Sequence, residues 1–149
     1  MTRPDVIENL FATLQLLDNT LHWLKRSYTI CERIGCKEHY TDEEFDAFEA
    51  FTGRYARVAD ILIHKMYRAI DAVEMESGGT VLDVANRAHK RNLTVSVEEL
   101  REIKDVRNEI AHEYVQSDPA DVFEDVFRLT PKLFTLCENV KTYCKRYAV

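Results

Sequence analysis

The chain has 149 residues, of which 46% are hydrophobic and 31% are charged, and its formal net charge is −6. This length suits one domain that buries its own core, so we expect a single domain over residues 1–149. The acidic balance argues against a general nucleic-acid coat protein, because such proteins are usually basic. An enzyme that grips one phosphate group locally stays possible.

The composition also bears on compartment and cofactors. A membrane-spanning helix needs a run of about 18 apolar residues, and the sequence has none. No signal peptide is visible either, so we expect a cytoplasmic protein with no membrane partner. The four cysteines lack the paired Cys-x-x-Cys spacing of a zinc site, so we expect reduced, mostly buried thiols. We expect no metal and no cofactor.

The first half of the chain predicts two long helices. The first begins near Pro4, a favoured first-turn residue, and ends at Gly35. The second begins at Thr41, which forms a capping-box pattern with Glu44 three residues later. Apolar residues at helical spacing continue to the glycine pair at 78–79, where we expect a break.

Three further helices follow. A short one runs from about Thr80 to Arg91, and the next begins at Ser96, again with a glutamate three residues later. An N-cap and a first-turn proline at 118–119 start the last, which Pro131 should kink or split. Because no segment alternates like a strand, the sequence predicts an all-α fold. We expect an antiparallel four-helix bundle with one extra short helix.

Basic residues gather in the second half of the chain although the net charge is negative. Such a cluster is usually a solvated helix face, and it could also help to hold RNA. Its members are Arg87, Lys90, Arg91, Arg101, Lys104 and Arg107.

The segment 107–114, Arg-Asn-Glu-Ile-Ala-His-Glu-Tyr, places polar groups at fixed offsets on the fourth predicted helix. Successive helical residues turn by about 100°, which puts Arg107 about 45° and Tyr114 about 25° from the centre of the core-facing stripe. His112 points about 175° away from that centre, one turn after Asn108. We therefore expect His112 to face solvent or a partner subunit.

These groups suit RNA cleavage in which the substrate's own 2′-hydroxyl attacks the neighbouring phosphate without a metal. His112 can carry a proton near neutral pH, and the planar fork of Arg107 can hold phosphate oxygens. Asn108 could orient either the histidine or the phosphate. The candidate catalytic residues are therefore Arg107, Asn108 and His112. A single copy offers one histidine at this site, so a symmetric homodimer could supply both the acid and the base.

The spacing Arg-x4-His-x-Tyr in an all-helical chain resembles the HEPN domains, and specifically the HepT-like toxins. The segment 80–88, Thr-Val-Leu-Asp-Val-Ala-Asn-Arg-Ala, and the Lys-Arg pair at 90–91 also look like that branch. The likeness covers most of the chain. Relatives often have glycine near the position of Asn92, a departure that affects a turn and no proposed catalytic group.

The resemblance implies a toxin of a toxin–antitoxin pair that acts as an RNase. It also implies a homodimer with the motif arginines and histidines at a shared cleft. Its partner would be a minimal nucleotidyltransferase antitoxin, which neutralises the toxin by transferring AMP to the motif tyrosine, here Tyr114. The RNA substrate and its cleavage position do not follow from the sequence.

Other interpretations stay open. The chain could be a non-catalytic nucleotide- or substrate-binding subunit of a partner nucleotidyltransferase, with Arg107 as a phosphate anchor. Glu109 and His112 match the Glu-x-x-His of di-iron bundles, but no second copy of that pattern occurs, which argues against such a site. Arg54, Asp60 and His64 could line a cleft from the second helix, although nothing in the sequence sets their direction. The alternative interpretation of Tyr114 is that it packs in the core and is not a modification site.

Overall fold

The computed structural model describes residues 2–116 and 118–148, without the side chains of 113–116. All regular structure within these ranges is helical, and they contain no strand, so the predicted all-α bundle is confirmed. The elements are α1 (Arg3–Ile34), α2 (Asp42–Asp60), a π-helical segment (Ile61–Met66), α3 (Tyr67–Val73), α4 (Val81–Lys90), α5 (Val97–Gln116), α6 (Pro119–Cys144) and a terminal 3-10 turn (Lys145–Tyr147).

The helix ends follow the local capping chemistry. Thr41 and Thr80 each form a reciprocal capping box with the acidic residue three positions on. The hydroxyl of Ser96 accepts from the backbone N–H of Glu99, and the Asp118 carboxylate accepts from that of Ala120. The predicted helix starts are therefore confirmed to within a residue or two.

Neighbouring long helices run antiparallel. The start of α1 meets the end of α3, and the end of α1 meets the start of α2, as the contacts of Arg3 with the carbonyl of Val73 and of Cys31 with that of Ala47 show. In the same way, α5 packs antiparallel to α2, and α6 packs antiparallel to both α5 and α1. The contacts that establish this are Arg107–Asp60, Lys104–His64, Arg128–Glu102, Asn139–Leu93, Lys141–Asp18 and Lys25–Glu138.

The core is one continuous cluster to which all the helices contribute. Leu100, Ile103 and Val106 of α5 are buried, and Ile110 is partly buried, as the stripe predicted. Burial of this stripe sets the rotation of α5 about its axis, because each Å² of apolar surface removed from water stabilises the fold by about 25 cal/mol. The orientation of every polar residue on α5 follows from it.

Helix α2, the π-helical segment and α3 follow one another without a break and form one continuous helix. The π-helical segment was not predicted. In a π turn the N–H bonds to the carbonyl five residues back, and such turns are frequent at functional sites. It changes the direction in which the residues after Asp60 point.

An ion-pair network joins α3 to α4. The Asp71 carboxylate, 1% exposed, accepts from the guanidinium groups of Arg87 and Arg91, and Arg91 also donates to Glu74. The side chain of Arg91 is itself 8% exposed. For Arg87 and Arg91, the predicted solvated face was therefore wrong, because both arginines pair with the buried Asp71 carboxylate.

Three local features complete the fold. Asn92 adopts a φ of 60°, a left-handed conformation that glycine and asparagine tolerate best, which explains why asparagine fits this turn. Helix α6 continues through Pro131, so of the two predicted outcomes, a kink or a split, the split is wrong; buried residues lie on both sides of the proline. Among the described residues, no helix is both long and apolar enough to span a membrane.

Candidate functional site: a cationic cleft beside α5

The motif residues whose side chains the structure describes point where the helical angles predicted. Arg107 is partly buried at the edge of the core, and Asn108 and His112 are exposed. Tyr114 lies within α5, but its side chain is outside the described part of the structure, so its predicted role is not examined by the geometry. The same holds for Glu113.

Arg107 is held by a carboxylate from the neighbouring helix. Its Nε and one terminal nitrogen donate to the two Asp60 oxygens at 2.7 and 2.9 Å, a bidentate pair. These hydrogen bonds raise the pKa of Arg107 above its ordinary value. The pair uses two of the five N–H donors of the guanidinium, and it orients the remaining donors. Arg107 is thus a fixed cation and not a freely moving surface chain.

The pair lies in the wall of a cleft of about 800 Å³, which we call the α2–α5 cleft. Four cationic side chains line it against one carboxylate, in a protein whose net charge is −6. Among the side chains that the structure describes, those of residues 2–112 and 118–148, no acidic group lies within ion-pair distance of Arg57, Lys65 or Lys104. The full lining is Leu16, Gly53, Ala56, Arg57, Asp60, Ile61, His64, Lys65, Lys104, Arg107 and Asn108.

His64, which the π-helical segment presents to this cleft, contacts α5. The Lys104 ammonium lies 3.4 Å from Nε2 of His64. An ammonium group can only donate, so this contact requires that Nε2 be unprotonated. Partial desolvation lowers the pKa of His64, Lys104 lowers it further, and Asp60 opposes them. Desolvation and the contact with Lys104 therefore both favour the neutral imidazole.

The cleft and His112 are adjacent but separate. Asn108 lines the cleft, whereas His112, one turn further along α5, is exposed outside the lining. Eight residues, or about 12 Å of helix, separate Lys104 from His112. Within one protomer the structure therefore brings Arg107 and Asn108 together with Asp60 and His64, and leaves His112 at the cleft's edge.

A second hollow of about 550 Å³ adjoins the cleft, since both are lined by Leu16 and Arg57. We call it the Trp23 hollow. Arg54 lies here, with its guanidinium 5.3 Å from the Trp23 ring and a 2.7 Å hydrogen bond to the Ser27 hydroxyl. Of the three residues proposed from the second helix, Asp60 and His64 line the α2–α5 cleft, and Arg54 lines the neighbouring hollow.

Sequence reasoning missed Arg57 and Lys65 as cleft residues. Arg57, Asp60 and His64 follow one another at spacings of three and four, which places them on one helix face. That spacing could have identified the face. The spacing could not identify Arg107 as the partner of Asp60 on the neighbouring helix, because the two residues are 47 positions apart.

The described residues offer no group of three His, Cys, Asp or Glu side chains that could hold a metal ion. Glu109 and His112 are both exposed, so the pattern that suggested a di-iron site does not point into the bundle. Cys31, Cys137 and Cys144 are free thiols buried in the core, and burial raises the pKa of each. They are packing residues, as the sequence predicted.

The fold and the cleft define a helical-bundle protein with a cationic site on the face of α5. Comparison with protein-family models, curated proteins and solved structures gives no match. The resemblance to the HEPN domains therefore stays a prediction from the motif.

Proposed function

We propose that this protein is a HepT-like toxin of the HEPN type, a metal-independent endoribonuclease that acts in the cytoplasm. The observation that carries the proposal is the Arg107 fork, which Asp60 fixes in the wall of a cationic cleft beside Asn108. A bound phosphate there would meet the free donors of Arg107 and the ammonium groups of the same cleft.

The reaction needs no protein nucleophile. The 2′-hydroxyl oxygen of the RNA bonds to the adjacent phosphorus, and the bond from phosphorus to the 5′-oxygen breaks. A base takes the proton of the 2′-hydroxyl, and an acid gives a proton to the departing 5′-oxygen, so the products are a 2′,3′-cyclic phosphate and a 5′-hydroxyl. Arg107 stabilises the charge on the phosphate oxygens, and Asn108 orients the phosphate or an imidazole.

Two imidazoles are available for the proton transfers. His112 is the motif histidine, and its exposure lets it reach a strand that leaves the cleft along α5. A homodimer that pairs α5 faces would bring the partner's His112 to the same substrate. His64, which is already in the cleft and whose pKa is lowered by burial, is a second acceptor within one protomer.

Growth arrest tests the proposal. We expect expression of the wild-type chain to arrest growth and cleave cellular RNA, and His112→Ala to abolish both effects. His89→Ala is a matched control, because His89 is exposed on α4 outside the cleft. Growth without arrest in the wild type, or equal toxicity of His112→Ala, would refute the RNase.

We propose that a minimal nucleotidyltransferase is the antitoxin and that it transfers AMP to Tyr114. The test is the intact mass of the protein after co-expression with a neighbouring transferase. We expect an added AMP in the wild type and none in Tyr114→Phe. An addition that persists in Tyr114→Phe would place the modification elsewhere.

A second candidate is a non-catalytic subunit that binds a nucleotide for a partner nucleotidyltransferase. The position of His112 outside the cleft lining favours it, because phosphate binding in the cleft does not require that residue. Tight binding of a nucleotide by a chain that cleaves no RNA would select this function over the first.

A further inference from the structure

Trp23 is conspicuous because it is a large aromatic residue left 50% exposed on the side of α1. It is also the single tryptophan of the chain. One face of its surroundings is cationic, since the Arg54 guanidinium lies over the ring and Arg57 lines the same hollow. Proteins commonly bind single-stranded nucleic acids with exposed aromatic rings that lie beside arginines.

The Trp23 hollow continues into the α2–α5 cleft through the shared lining of Leu16 and Arg57. From Arg54 to His64 the helix rises by about 15 Å, at about 1.5 Å per residue. Stacked nucleotides rise by about 3.4 Å each, so this length accommodates about four. The cations along it could follow a phosphate backbone over that distance.

We propose that the Trp23 hollow and the α2–α5 cleft together form one groove for single-stranded RNA, with a base stacked on Trp23 and phosphates on the cations of the cleft. The single-stranded form is required because the bases of a duplex are already stacked and paired, and a ring on the protein cannot reach their faces. The choice of RNA as ligand rests on the proposed function; the groove itself rests on the geometry.

The charge of the groove argues against a second copy of this chain as its occupant. Inserting a second copy along the groove would bring the same cations of two copies together, at an unfavourable Coulomb energy, whereas the proposed homodimer meets at the exposed α5 surface that carries His112, outside the groove lining. A strand of RNA brings one phosphate per nucleotide, and each neutralised phosphate releases counterions.

Trp23 itself reports on the proposed stacking, because no other tryptophan contributes to the emission. The probe is a short 2′-O-methyl RNA strand, which lacks the attacking hydroxyl and cannot be cut. We expect this strand to quench the emission of Trp23, and the same sequence as a duplex to quench it less. The logarithm of the affinity should fall with the logarithm of salt concentration with a slope of about −3, the value for four phosphates on a single strand.

Variants separate stacking from charge. By fluorescence anisotropy of a labelled strand, Trp23→Leu should bind about tenfold more weakly, the effect of losing one stacked base, whereas Trp23→Phe should retain most of the affinity. Leu82→Ala is the matched control, because Leu82 is exposed to a similar extent on α4 outside the groove. Circular dichroism checks that each variant is folded.

Unchanged Trp23 emission on RNA binding, or equal affinity in Trp23→Leu, would overturn the proposal. Emission that responds to protein dilution instead of RNA would also overturn it and identify a contact between copies. AMP and inorganic phosphate serve as further probes, and full quenching by AMP would replace the strand with a mononucleotide. Because the probe cannot be cleaved, strand binding by a protein that cuts no RNA would support the groove and refute the RNase.

Discussion

Replacing Asp71 by asparagine should be among the most destabilising single changes in the protein. Its carboxylate is 1% exposed and accepts from both Arg87 and Arg91. Arg91 is also enclosed, with 8% of its side chain exposed. Removing one partner of a buried ion pair leaves the other charge uncompensated, which typically costs about 3–5 kcal/mol.

We expect Asp71→Asn to lie near the lower limit, about 3 kcal/mol, because its amide oxygen still accepts one hydrogen bond and Glu74 still binds Arg91. For a domain of this size each kcal/mol lowers Tm by about 2–4 °C, so the expected decrease is about 6–12 °C. Urea denaturation gives the free energy of unfolding directly. Glu76→Gln is the matched control, since Glu76 lies 3.7 Å from Arg91 with its side chain 51% exposed, and should change stability by less than about 1 kcal/mol.

A loss below about 1 kcal/mol in Asp71→Asn would refute the buried network. It would mean that Arg87 and Arg91 are solvated, and the sequence interpretation of an exposed basic face would be restored for them. Equal losses in Asp71→Asn and Glu76→Gln would lead to the same conclusion.

Three further predictions concern a core hydrogen bond and two titrating groups. Tyr55→Phe removes the 3.0 Å bond from the buried hydroxyl to the carbonyl of Ile103, and should cost about 1 kcal/mol in urea denaturation; an unchanged midpoint would contradict this. Burial alone would raise the pKa of Glu74, but hydrogen bonds from two tyrosines and Arg91 lower it below 4.5, so its stabilisation is present above that pH and is lost as pH falls through the folded value. Glu74→Gln should therefore flatten the acid limb of the stability curve, and an unaltered limb would exclude this role. The pKa of His64 is below 6.5, and a bound phosphate would raise it. The affinity of the wild type for 2′-O-methyl RNA should therefore increase as pH falls through the pKa of His64, and that of His64→Gln should not. The same pH dependence in both proteins would assign the titration to another group.

The fold was predictable because its signals are local. Four helix starts are each marked by a capping side chain that accepts a hydrogen bond from a backbone N–H three residues or fewer away. These residues are Thr41, Thr80, Ser96 and Asp118. The π-helical segment was not predictable in this way. Nothing in the pattern of Ile61–Met66 distinguishes it from an α-helix, because its buried residues are apolar, as they would be in a buried α-helix.

The candidate site was predictable in part. The burial stripe of α5 correctly oriented Arg107, Asn108 and His112, since all three depend on one helix rotation. The partners of Arg107 were not predictable, because the contact with Asp60 depends on how two helices pack. For the same reason Arg91 was misread: its charge is visible in the sequence, but the buried carboxylate that it compensates is not.

RNA cleavage by the purified protein in EDTA tests the central claim most directly, with Arg107→Lys compared with Arg101→Lys. Lysine keeps the charge at position 107 but loses the fork that binds Asp60 and phosphate together, whereas Arg101 is exposed on α5 outside the α2–α5 cleft. We expect the wild type and Arg101→Lys to yield fragments with 2′,3′-cyclic phosphate ends, and Arg107→Lys to be slower by about a hundredfold or more. Absence of cleavage by the wild type, or equal rates in the two variants, would contradict the assignment of this cleft as the active site.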